Sequence, residues 1–133
     1  MEQAASSGGA YGVQVLIAGR QKHWRDDVAA QIRRAGYATT TVDCGVDAMT
    51  VLALGLPVDV LVTDLSLTGE LGCVQLALEA RALRPDLRIV FASDAPHVDV
   101  ETTGLDTDDL YVVAAERTDA VAITVREALA ART

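Results

Sequence analysis

At 133 residues and a formal net charge of −8, the chain has the length of one domain that buries roughly two-thirds of its unfolded surface, and its acidity argues against a nucleic-acid surface. Half of the residues are apolar and only five are aromatic, so the core must be built from Val, Leu, Ile and Ala. No apolar run approaches the ~20 residues of a membrane span, and the first residues, MEQAASSGGAYG, carry neither the basic start nor the apolar stretch of a secretory leader. This points to a cytoplasmic protein in which residues 1–12 form a disordered arm and residues 13–133 one domain. Cys44 and Cys73 lie far apart with no CxxC spacing, which reads as two reduced thiols.

Taken in order, Val13–Ala18 (VQVLIA) predicts a first strand that stops at Gly19-Arg20. Trp24, Val28, Ile32 and Ala35 recur at helical spacing opposite Asp26, Asp27, Arg33 and Arg34, and Gly36 closes that helix. Ala38–Val42 (ATTTV) is β-branched but weakly apolar and suits an edge strand. Asp47–Leu56 reads as a second helix with Ala48, Val51 and Leu52 inward, ended by Gly55 and Pro57. A buried strand follows over Val58–Asp64. Cys73–Leu83 reads as a helix with Leu76, Ala80 and Leu83 on one face, stopped by Pro85. Arg88–Ser93 is a fourth strand. Asp94–Asp109, with β-branched residues, Pro96 and Gly104, allows at most a short or irregular helix. Leu110–Ala115 is a fifth strand. Thr118 or Asp119 caps a last helix running to about Arg132, with Val121, Val125, Ala128 and Leu129 inward and Ile123 on the opposite side.

Strands alternating with helices imply a parallel sheet covered on both faces, and right-handed crossovers leave few topologies. The polar second strand belongs at an edge and the apolar first and third strands inside. The expectation is an α/β, flavodoxin-like (βα)5 doubly wound sheet with strand order 2-1-3-4-5. In such a sheet the carboxyl ends of strands one, three, four and five converge on one rim, where open α/β sheets place their chemistry. The stretch VDVLVTDLSLTGELG (58–72) puts Asp64 there, followed by a loop punctuated by Gly69 and Gly72.

On these residues the chain, from about Val13 to Leu129, resembles the receiver domains of two-component response regulators. In that family the third strand ends in a phospho-accepting Asp followed by a D-x-x-x-P-G-x-x-G pattern. Here the run is Asp64-Leu-Ser-Leu-Thr68-Gly69-Glu-Leu-Gly72, with Thr68 in place of the Pro. Ser93 matches the family's Ser or Thr at the end of the fourth strand, Tyr111 its aromatic residue in the fifth, and Ala48 the usual start of its second helix. The resemblance implies that Asp64 is the phospho-acceptor position and that Ser93 and Tyr111 occupy the switch positions.

Two departures bear on chemistry. The family's pair of acids after the first strand, which help bind Mg²⁺, is replaced by Gly19 and Arg20. Its Lys after the fifth-strand aromatic, and the Pro that follows, are replaced by Ala114 and Ala115. Phosphoryl transfer depends on positioning and charge stabilisation, and Mg²⁺ requires several hard oxygen ligands. Cationic stabilisers of this kind are each worth roughly 3–4 kcal/mol, so losing both slows transfer by several orders of magnitude. Mg²⁺ binding is therefore not expected, nor is any other cofactor. Arg20 suggests a substitute, a guanidinium paired with Asp64 in place of the metal.

Elsewhere no chemistry gathers. His23 and His97 stand alone, Lys22 reads as a solvated base, Ser66 lacks His and Asp partners, and no Gly-rich phosphate loop is present. Between Asp94 and Asp119 lie eight acids and one base, so −7 of the −8 is regional. This acidity and Ile123 point to a contact surface in the Asp94–Arg132 region, where receiver domains often dimerise or bind partners. A symmetric dimer there needs bases such as Arg117 and Arg126 to offset the acids, and a basic protein partner is the alternative. The sequence thus points to a non-enzymatic, phosphorylation-independent receiver-like domain acting by protein–protein interaction. Two other readings are a working receiver phosphorylated on Asp64 by a histidine kinase and a dimerisation module of a larger regulator.

Overall fold

The computed structural model of the chain describes residues 13–64, 73–93 and 110–130. The expected arm over residues 1–12, the loop after Asp64 with Ser66, Thr68, Gly69 and Gly72, and the Asp94–Asp109 segment with His97 lie outside the described residues.

Five parallel strands, β1 (Gln14–Ala18), β2 (Ala38–Val42), β3 (Val60–Asp64), β4 (Arg88–Ser93) and β5 (Leu110–Ala114), form one sheet in the order β2-β1-β3-β4-β5. The register is continuous: Ile17 stands between Thr41 and Val62, and Val62 in turn beside Val90. This is the flavodoxin-like order that the strand polarity implied. β2 is an edge strand, with Thr40 and Thr41 exposed, and it can be polar because only one neighbour and half its surface are covered.

The inner strands are apolar throughout because helices cover both faces. Successive residues point to opposite sides. Leu16, Ala18, Leu61, Ile89 and Phe91 pack against α2 (Gly45–Ala53) and α3 (Cys73–Leu83) through Ala48, Leu52, Leu76, Ala77 and Ala80. Val15, Ile17, Val60, Val62, Val90 and Ala92 pack against α1 (Lys22–Arg34) and α4 (Thr118–Ala130) through Val28, Ile32, Val121 and Val125.

Most helix faces follow the expected stripes, and Ile123 is 51% exposed as its position opposite the stripe implies. Leu83 does not follow: expected inward, it is 49% exposed on the last residue of α3. At that end the chain is held by arginines. Arg84 Nη2 donates to the carbonyls of Leu52 (3.1 Å) and Leu56 (2.6 Å), and Arg81 Nε donates to Leu87 O (2.7 Å). α1 ends as its glycine requires. Gly36 takes φ +99°, its N–H reaches Arg33 O (2.9 Å), and the Tyr37 N–H reaches Ile32 O (3.4 Å), the double closure of a Schellman motif. Helices begin and end within a few residues of their predicted bounds, the largest differences being at α1, which starts two residues before Trp24, and α2, which starts at Gly45 and stops at Ala53.

Candidate functional site

The rim is set by the sheet register. Ala18 pairs with Thr63, Asp64 with Ala92, and Ser93 with Ala114, so Gly19, Asp64, Ser93 and Ala114 end or follow neighbouring strands on one side of the sheet. Asp64 is half-buried there. Ala114 is exposed. Tyr111 stands lower on β5, opposite Val90, and is half-buried against the α1/α4 core.

The Gly19–Arg20 corner is more constructed than its sequence suggests. The Gly19 N–H donates to Val42 O at 3.1 Å, extending the contact between β1 and β2 beyond the strand. Arg25, one turn into α1, turns its guanidinium back. Nη1 lies 2.8 Å from Gly19 O and 3.3 Å from Arg20 O. The Arg20 residue is exposed. Among the described residues no ion pair between Arg20 and Asp64 is found. The loop's backbone carbonyls are held by a different arginine, Arg25, which the spacing of apolar residues in α1 did not mark.

Trp24 is the second residue that sequence reasoning assigned only to packing. Its ring is half-buried, and its Nε1 donates to Ala115 O at 2.8 Å, joining the start of α1 to the turn after β5. A Cβ placed on Gly19 would stand 2.7 Å from both Cε3 and Cζ3 of this indole. Beside it, Thr118 Oγ1 donates to Asp27 Oδ2 at 2.8 Å, a second link between α1 and α4. Thr118 or Asp119 was expected to cap α4; both instead lie in its first turn, and the Thr118 hydroxyl donates across to α1. A glycine ending the first strand, five residues before the chain's only tryptophan, is the sequence signal that could have pointed to this packing.

Two surface ion pairs form among the described residues. Lys22 forms an exposed ion pair with Asp26 at 2.6 Å, and the hydrogen bond from its ammonium holds the Asp26 carboxyl below the usual aspartate value. Arg117 pairs with Asp119 at 3.3 Å. That hydrogen bond lowers the carboxyl of Asp119 and raises the guanidinium of Arg117. His23 is exposed. Asp43, Cys44 and Asp47, at the start of α2, bring their ligand atoms within 4.8 Å of one another, a grouping that the spacing of cysteines did not suggest.

Response-regulator receivers are among the solved structures that share this fold. A response regulator receiver protein from Sinorhizobium medicae superposes with a TM-score of 0.78 at 29% identity, over 91% of this chain and 97% of its own. The fold here is that of a receiver domain. The N-terminal domain of a response regulator/sensory box/GGDEF 3-domain protein from Carboxydothermus hydrogenoformans matches with a TM-score of 0.74 at 24% identity, over 90% of this chain and 95% of its own. The response regulator TrrA from Thermotoga maritima, solved in complex with Mg²⁺ and BeF, matches at 0.73 and 18%, over 87% and 98%. No protein-family model matches the sequence, and no curated protein matches it. Among the described residues, no helix of this receiver fold is long and apolar enough to cross a membrane.

Proposed function

We propose that the chain is an atypical receiver domain of a two-component pathway, working in the cytoplasm by protein–protein contact without turnover and without phosphorylation of Asp64. One observation carries this reading. The positions that in receivers supply the Mg²⁺-binding acids and the Lys are Gly19, Arg20 and Ala114. An anionic phosphoryl donor approaching the Asp64 carboxylate then meets neither the metal nor the ammonium that offsets its charge. Ser93 and Tyr111 keep their places on the fold, as a rim residue and a half-buried aromatic, with no phosphoryl group to follow.

The partner surface in this reading is formed by β5 and α4. Val112 and Ile123, 45% and 51% exposed, are apolar residues on these two elements. Arg117 is engaged by Asp119 within the chain, which leaves only the exposed Arg126 of α4 to offset facing acids in a symmetric dimer. A basic protein partner suits the regional acidity better than a symmetric dimer, in which two acidic segments face each other.

The test is exposure to acetyl phosphate with Mg²⁺, and separately to beryllofluoride with Mg²⁺. Intact mass and amide spectra are expected to be unchanged. A stoichiometric response that disappears in Asp64→Asn would replace this reading with that of a working receiver, which the half-buried Asp64 at the end of β3 favours. Self-association that weakens with salt in sedimentation would favour the dimerisation module instead.

A further inference from the structure

We propose that Trp24 keeps a divalent cation out of the rim: its indole takes the space of a carboxylate side chain at position 19 and is itself fixed to the turn after β5. The inference deepens the phosphorylation-independent reading and rests on it for the assignment of Gly19 as a ligand position.

Three features support it. First, the indole and any side chain at position 19 exclude each other. A contact of 2.7 Å from a Cβ to two ring carbons is far inside van der Waals separation, so even alanine requires the ring to move. Second, the ring is held. Nε1–H donates to Ala115 O at 2.8 Å, and the Thr118–Asp27 hydrogen bond, also 2.8 Å, ties α1 to the start of α4, three residues on. Displacing the indole therefore leaves a partly buried carbonyl without its donor. Third, the oxygens that remain at this corner are already committed. The carbonyls of Gly19 and Arg20 accept from Arg25 Nη1, whose guanidinium would also repel a second cation placed beside them. Mg²⁺ needs near-ideal octahedral oxygen ligation and gives up its water reluctantly. A cationic corner offering carbonyls that are already bonded does not meet that demand.

The role is thus one of exclusion. A neutral donor on α1 reaches the turn after β5 directly, and the indole keeps its place without a ligand.

The proposal is tested by restoring the acids with and without the indole. Gly19→Asp/Arg20→Asp is made in three backgrounds, with Trp24 retained, with Trp24→Met and with Trp24→Ala. Met keeps apolar bulk without a rigid ring, so it guards against a variant that fails for lack of packing. MgCl₂ alone is titrated in each, followed by calorimetry and by the amide signals of the rim. Binding is expected to be absent or weak with Trp24 retained and at least about tenfold tighter once the indole is gone. Equal behaviour in all three backgrounds, whether equal affinity or no binding in any, would overturn the proposal. The reading in the preceding section fails separately, on the unmodified protein with beryllofluoride, so the two outcomes are distinguishable.

Discussion

Trp24 and Ala115 stand 91 residues apart in sequence and are joined by a 2.8 Å hydrogen bond from the indole nitrogen to the backbone carbonyl. The bond gives α1 a fixed position against the turn that follows β5. It also explains why a tryptophan occupies the first turn of a helix that has no side-chain N-cap: the ring packs against Gly19 while its polar edge satisfies a distant carbonyl.

Replacing Trp24 separates these contributions. Trp24→Phe keeps most of the ring and removes the donor, so it is expected to cost about 1 kcal/mol, the usual net worth of one hydrogen bond. Trp24→Ala also removes the half-buried ring and is expected to cost roughly 2–3 kcal/mol, less than a fully buried aromatic. Urea unfolding at constant m-value measures both. Equal stability of the Phe variant and the unmodified protein would show that the bond contributes nothing net.

Gly19→Ala is expected to push the indole toward solvent. The single tryptophan makes this visible as a red shift in emission, with a loss of about 1–3 kcal/mol from overpacking. In a Trp24→Ala background the same substitution is expected to be nearly neutral, giving a coupling of about 1 kcal/mol or more in a double-mutant cycle. Additive effects would mean that the two sites do not touch.

Thr63, directly before Asp64, is fully buried and its Oγ1 has no hydrogen-bond partner. It shares the face of Ala18 and Phe91, its neighbours in register. A buried hydroxyl without a partner costs about 1–3 kcal/mol, and valine has nearly the same shape without that penalty. Thr63→Val is therefore expected to raise stability by about 1 kcal/mol, read as a higher urea midpoint. A lower midpoint would mean that the hydroxyl is bonded in solution.

Asp119 and Asp26 predict the acid limb of the stability profile. Their carboxyls are held below the usual value by hydrogen bonds from Arg117 and Lys22, respectively. A depressed folded-state pKa means that the unfolded chain takes up these protons at higher pH than the folded one. The contribution is therefore complete above the unfolded aspartate pKa and is lost as pH falls through the folded value. Both groups are fully exposed, so the effect is small and screened by salt. Carboxyl-carbon NMR titration is expected to place both midpoints low, and Arg117→Ala to return Asp119 alone to the ordinary range.

The sheet was legible because its signals are local. ATTTV could only be an edge, the runs around Leu16, Leu61 and Val90 could only be buried, and Gly36 marked its helix end by needing a left-handed conformation. The position of Asp64 on the rim followed from the strand order. What was not legible depended on contacts across the chain. Leu83 repeats the spacing of Leu76 and Ala80 but is the last residue of α3 and is half exposed. Arg20 lies next to the rim in sequence, yet the neighbouring carbonyls are claimed by Arg25 and Arg20 is exposed. Trp24 fits a helical stripe equally well as a core residue or as a donor to Ala115, and periodicity carries no information about which.

The pairing of Gly19 with Trp24 also restricts the order in which mutations can accumulate. A side chain at position 19 displaces the indole from its present place, and a smaller residue at position 24 leaves Ala115 O without its donor. Either change made alone passes through a less stable protein. The two positions therefore form an epistatic pair, whose joint replacement is tolerated better than the sum of the single changes.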